Sequence, residues 1–207
     1  KKKKYKVDKK TFIDERDGNE YKFVKIGKQF WFAENLRYSG DIPELVSNEE
    51  WSSFLKEDGS YYGYPAWSYY ENDPKNDSIY GKLYNWAALR DESLCPPGWH
   101  IPTYMDWDQL RDYLKGPSIA GKAVTSISGW HPDSDSRATN KTGFTALPSG
   151  RRDLTGNYKE IGKAGYWWIS LKGIGQTNVF MVNYKKLNLS ENIVSTNSGI
   201  SCRCIKD

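Results

Sequence analysis

Two cysteine-bearing segments constrain this chain more than any other feature. The first, Cys95-Pro96-Pro97-Gly98-Trp99-His100-Ile101-Pro102-Thr103, reads as a compact turn that opens into a helix. The second, Ser201-Cys202-Arg203-Cys204-Ile205-Lys206-Asp207, reads as a short alternating strand. About 110 residues separate them, so a bond between them would staple the far part of the chain to its middle and close one long loop. Such a closure suits an extracellular recognition scaffold better than a cytosolic enzyme.

Three cysteines are an odd count, which in an exported protein means one bridge and one leftover thiol. Period-two alternation places Ile200, Cys202 and Cys204 together on an inward face. Cys202 reads as a small buried hydrophobe, with no His nearby in sequence to activate it.

A chain of 207 residues predicts one domain, or two at most, and needs no staple merely to fold. Its nine Trp and fifteen Tyr exceed what a core of this size requires. Such rings also serve interfaces and sugar-stacking faces. The net charge of +4 misleads, because residues 1–10 hold seven Lys and one Asp. The remaining body sums to −2, which argues against nucleic acid as a partner. Residues 1–10 read as a solvated basic tether, with a polybasic membrane-surface patch as the sharper alternative. No apolar run is long enough to span a membrane. The first residue is Lys rather than Met, and the expectation is a longer native protein whose export or lipid-attachment signal precedes it.

Residues 20–26 and 29–36 predict two strands joined by a Gly27-Lys28 hairpin turn. Residues 46–58 predict a helix with a Ser47/Glu50 capping box, Val46 stapled on Trp51, an apolar face of Trp51, Phe54 and Leu55, and a stop at Asp58-Gly59. An aromatic loop follows at 61–77, and 81–89 resumes apolar packing. Thr103 caps the clearest helix, with Asp106 at its third position, Trp107, Leu110 and Leu114 as its buried stripe, and Gly116 as its C′ residue. The 129–165 stretch is rich in turn residues, with strand-like pieces only at 143–147 and 158–161. It is too long for an idle connection. Strands are expected at 166–171, 178–184, 192–196 and 200–205. No repeat or second domain boundary is visible.

Five ordered motifs carry a resemblance. They are Tyr80-Gly81-Lys82-Leu83-Tyr84-Asn85-Trp86-Ala87-Ala88; the 95–103 segment with Trp107; Gly143-Phe144-Thr145-Ala146-Leu147-Pro148-Ser149-Gly150; Gly165-Tyr166-Trp167-Trp168-Ile169-Ser170; and Arg203-Cys204-Ile205-Lys206-Asp207. Together they resemble the Fibrobacter succinogenes major paralogous domain, a family of surface and secreted domains of Fibrobacter and Bacteroidetes, over residues 11–207 as one domain. The resemblance implies an α+β chain of C-type lectin-like fold. That means small mixed or antiparallel sheets, two or three short helices, a long irregular loop region and neighbouring termini. It also implies a Cys95–Cys204 bridge. The family usually carries a valine-like residue where Cys202 stands, which leaves Cys202 as the rival partner. His100-Ile101-Pro102-Thr103 with Trp107 is also similar to a segment of formylglycine-generating enzymes, whose paired active-site cysteines have no counterpart here once Cys95 and Cys204 are bonded.

Catalytic chemistry finds little to use. Of the two His, His100 sits inside a packing motif and reads as a hydrogen-bonded structural residue. No nucleophile elbow, zinc spacing or phosphate-cradling Gly loop is present. Residues 71–77 and Asp133-Ser134-Asp135 offer hard oxygen ligands, so a structural calcium competes with ordinary Asx turns there. No other cofactor is expected.

Recognition through the loops is the expectation, with an extracellular glycan or protein as partner. The candidate contacts are Trp130, His131, Arg151, Arg152, Asp153 and Tyr158, joined by Trp67, Tyr69 and Tyr70 of the aromatic loop. Core packing is the competing reading for Trp67 and Tyr69, whereas Arg151 and Arg152 are expected to be exposed. Trp167 and Trp168 alternate faces, so at least one is core. The chain is thus expected to be a monomeric, non-catalytic module on a bacterial outer-membrane surface, lipid-anchored in its full-length protein. The alternatives are a structural subunit or cap of a surface assembly and, more distantly, a formylglycine-type oxidase.

Overall fold

The computed structural model describes residues 10–53, 63–91, 93–135, 137–170 and 178–207. The basic stretch at 1–9, Phe54, Leu55, the Asp58-Gly59 stop, Tyr61, Tyr62 and Leu171 lie outside the described residues.

The chain opens on an antiparallel meander of β1 (Lys10–Ile13), β2 (Glu20–Ile26) and β3 (Gln29–Phe32). Gly27 takes φ +63° in the two-residue turn, where a side chain would be strained, and Ile26 faces Gln29 across it. The strand stops at Phe32, short of Leu36. Helix α1 (Asn48–Ser52) is capped by Ser47, whose hydroxyl accepts from the Glu50 N–H. The Glu50 carboxylate returns to the Ser47 hydroxyl at 3.1 Å rather than to its backbone. Val46 stays half-exposed instead of covering Trp51.

Strand β4 (Trp67–Ser68) is followed by two 3-10 turns and the one-turn helix α2 (Asp77–Tyr80). Strand β5 (Leu83–Tyr84) and β6 (Trp99–His100) lead to α3 (Tyr104–Tyr113), where the Thr103/Asp106 capping box forms in both directions. Gly116 is not the C′ residue of α3. Lys115 takes the left-handed position at φ +67°, and the Gly116 N–H donates to Arg111 O at 2.9 Å, completing a Schellman motif one residue earlier than expected.

Gly116 instead precedes helix α4 (Pro117–Val124), which the sequence reading did not anticipate. Gly121 within it discourages a helix reading, yet it is required. A Cβ there would lie 1.6 Å from Leu187 O, so the helix and the 187–189 segment touch backbone to backbone.

The remaining strands are β7 (Ser149–Arg152), β8 (Tyr158–Ile161), β9 (Ala164–Trp168), β10 (Asn178–Asn183), β11 (Ser190–Ile193), β12 (Ile200–Ser201) and β13 (Ile205–Lys206). They build a mixed α+β molecule of small sheets. One sheet has the order β1-β2-β3-β13-β6, a second β11-β10-β9-β12-β5-β4, and a third is the β7–β8 hairpin.

The single strand expected at 200–205 is in fact two. β12 inserts between β9 and β5, and β13 inserts between β3 and β6. Residues 200–205 are buried on every side, so alternation does not separate an inner from an outer face. Two apolar clusters flank β9. Trp167 joins Trp31, Trp107, Phe144 and Phe180 in one, and Trp168 joins Phe32, Trp67, Tyr84 and Trp99 in the other. Both tryptophans are therefore core.

Cys95 and Cys204 are bonded at Sγ–Sγ 2.04 Å across 109 residues. Cys202 is free and fully buried, and burial raises its thiol pKa. Beside it, Arg203 is wholly enclosed. Its guanidinium donates to Asn35 Oδ1, Phe32 O, Phe144 O and Thr145 O and lies 4.0 Å from the Phe144 ring centroid. Burial lowers its pKa to about 9. With its donors on neutral acceptors, the cation ties three chain segments together without a carboxylate.

Candidate functional site

The 129–165 stretch is folded on itself. Its first half is not the strand expected at 143–147. Asn140 pins Thr145 through two side-chain hydrogen bonds of 2.9 and 3.0 Å, while Phe144 and Ala146 drop into the core. Its second half is the β7–β8 hairpin, which lies across α1 and the 67–76 segment.

Arg152 corrects the expectation of an exposed contact. It is 0% exposed and donates to Gly156 O, Leu45 O, Val46 O and Ser47 O at 2.5–3.2 Å. Its guanidinium lies 4.3 Å from the Trp51 ring centroid and 4.9 Å from that of Tyr158. It fastens the hairpin to the entry of α1 and is unavailable to a ligand. Tyr70 is also corrected to core, and Trp67 takes its competing core reading rather than the contact role. Trp67 donates from Nε1 to Ile42 O at 2.8 Å, and the Tyr70 ring packs beneath Gly150. The half-exposed Tyr69 rests edge-on against Trp67. Tyr158 is half-buried, with its hydroxyl on Asn72 Oδ1 at 2.6 Å. Trp130 is partly buried against the first core, with Nε1 donating to Ser126 Oγ at 3.1 Å.

Three expected residues remain outward. Arg151 lies on the hairpin, its Nε on Glu160 Oε2 at 2.8 Å and its guanidinium 5.4 Å from the Tyr166 centroid. Glu160 takes a left-handed φ of +68° within the hairpin. Asp153 organises the hairpin tip, accepting from the Thr155 and Asn157 N–H groups and pairing with Lys159 at 2.5 Å. Burial raises its carboxyl pKa, but Lys159 and these hydrogen bonds bring it below the ordinary range. His131 stands at the other end of the hairpin, where its N–H donates to Gly162 O at 2.7 Å.

His131 also meets a residue that sequence reasoning missed. Its ring lies 5.3 Å from that of Tyr184, which closes β10. The Tyr184 N–H donates to Lys163 O and its carbonyl accepts from the Asp135 N–H, both at 2.8 Å. Three loops thus converge on one half-exposed ring. No local sequence signal marks it, because Tyr184 reads as the end of an ordinary strand.

Three of the carboxylates weighed for calcium are engaged within the protein. Asp73 caps Lys75, Asp77 pairs with Lys82, and Asp135 pairs with Arg137. Among the described residues, no three His, Cys, Asp or Glu side chains gather where they could share a metal ion. No helix among them is long and apolar enough to cross a membrane. Away from the hairpin, a polar cleft of about 390 Å³ lies among Thr11, Glu20, Lys22, Glu34, Arg37 and Asp77. His100, expected to be structural, bridges Asp207 at 2.6 Å and Asp106 at 3.4 Å, linking the cap of α3 to β13's end.

A family model described as the Fibrobacter succinogenes major domain matches residues 24–206. No curated protein and no solved structure matches the chain.

Proposed function

The chain belongs to the Fibrobacter succinogenes major domain family, and from that membership we propose that it is a non-catalytic binding module of C-type lectin-like fold. It works outside the cell, on a bacterial surface lipoprotein, and recognises a glycan or protein through the outward face of the 129–165 region. The observation that carries this reading is the arrangement around Arg152. A hairpin pinned from beneath at three backbone carbonyls of the 45–47 segment presents Arg151, Asp153, Lys159 and Glu160 in fixed positions. Preorganisation of that kind removes ordering cost from binding. The disulfide favours an oxidising compartment. Of the three thiols, two are bonded and the third is enclosed, so none is offered as a nucleophile.

A glycan array tests the proposal, with Arg151→Glu as the contrast. Binding to at least one polysaccharide class, weakened by that substitution while the melting temperature holds, is the expected outcome. Parallel melts with Ca²⁺ and EDTA should coincide. A second reading, a structural subunit, draws on β11, an edge strand whose Ile193 is 70% exposed. Silence across all polysaccharides together with tight self-association in sedimentation would move the assignment there.

A further inference from the structure

Charge is distributed unevenly over this molecule. Residues 129–165 and 184–186 together hold eight Lys and Arg against four Asp and Glu, a net +4, although the body from residue 11 onward sums to −2. The acids of this region are mostly occupied within it. Asp135 pairs with Arg137, Asp153 with Lys159 and Glu160 with Arg151. Among the described residues, Lys163, Lys185 and Lys186 have no carboxylate partner, and all three are exposed. The one acid left facing this end is Asp133, 3.6 Å from His131 Nδ1.

Those lysines are not scattered. The backbone pairing of Tyr184 with Lys163, and of His131 with Gly162, brings the 131, 163 and 184–186 loops to one place. Tyr184 is at its centre, half-exposed, with His131 against it and the Lys185 ammonium 5.6 Å from its ring centroid. A ring offers a face for the C–H surface of a sugar, and flanking ammonium groups attract a carboxylate or sulfate on it.

We infer that the ligand is an acidic glycan, bearing carboxylates or sulfates, and that it is held at Tyr184 between Lys163, Lys185 and His131. This rests on the binding-module reading and narrows it. Isothermal titration of the purified domain with polygalacturonate and with dextran sulfate separates the two sources of charge. Unmodified dextran and a single-stranded thymidine oligonucleotide serve as contrasts. An acidic polysaccharide should bind, and dextran should not. Lys163→Glu with Lys185→Glu should weaken binding about tenfold or more, as should Tyr184→Ala, with thermal unfolding of the lysine variant unchanged because both side chains are exposed. Binding should fade as salt shortens the screening length. If a neutral glycan binds and the lysine variant binds it equally, the acidic-ligand inference fails while the module stands. Equal affinity for the oligonucleotide would also overturn it, as generic polyanion attraction. Failure to bind any polysaccharide would remove the acidic-glycan inference, while a module that recognises protein would stand.

Discussion

Arg203 and Arg152 are the same device in two different settings. Each is a fully enclosed guanidinium whose donors are held chiefly by backbone carbonyls, with no carboxylate among the described residues bonded to it. Arg203 lies between the two larger sheets, one residue from a disulfide. Arg152 lies under the β7–β8 hairpin, where the link to 45–47 is entirely non-covalent. The first region is locked and the second is only pinned. A burial that would be prohibitive for a lone charge is tolerated in both because every lost water contact is replaced. The contrast separates a scaffold from a face that can differ without disturbing it.

The largest expected effect tests the locked region. Replacing Cys95 and Cys204 by Ala should remove about 4–5 kcal/mol in urea unfolding, on the chain-entropy estimate for a loop this long. A loss under about 1 kcal/mol would mean that the sheets alone hold the thread. Arg203→Met comes next, at about 3–5 kcal/mol, because it leaves buried carbonyls without donors. Arg152→Met should cost about 2–4 kcal/mol, and its hydrogen exchange should rise at 45–48 and 149–158 alone. Exchange rising throughout the molecule in that variant would break the distinction between locked and pinned.

The smallest effect is a pH dependence at the junction of α3 and β13. Hydrogen bonding to Asp106 raises His100 above its ordinary 6.5; burial opposes this, and Asp207 adds to it. The folded state therefore holds the proton more tightly. The stabilisation is full below the unfolded pKa and is lost as pH rises through the raised folded value. The side chain is 40% exposed, so solvent screening keeps the effect under about 1 kcal/mol. Melting temperature should fall slightly from pH 6 to pH 8, and His100→Asn should flatten that slope.

Much of the fold is legible in local chemistry. Gly27-Lys28 marks a turn, Thr103 with Asp106 marks a cap, and both form as expected. The misreadings occur where distant segments decide the outcome. Helix α4 hides because its Gly121 answers to Leu187, not to its own neighbours. Arg152 reads as a surface residue because charge normally is; only the carbonyls that gather around it make its burial possible. The candidate surface was legible in its region but not in its membership. Arg151, Asp153 and His131 face outward, whereas Trp67, Tyr70 and Arg152 became the floor beneath them. Tyr184 escaped notice because it is brought to His131 by pairing across the chain.

Residues 200–206 come after every other strand in the order of synthesis, yet each large sheet has one of its inner positions reserved for them. As the polypeptide emerges from the ribosome, neither sheet can close until residues 200–206 have followed the rest. Closure of both sheets is therefore a late event in folding, set by the last two strands rather than the first.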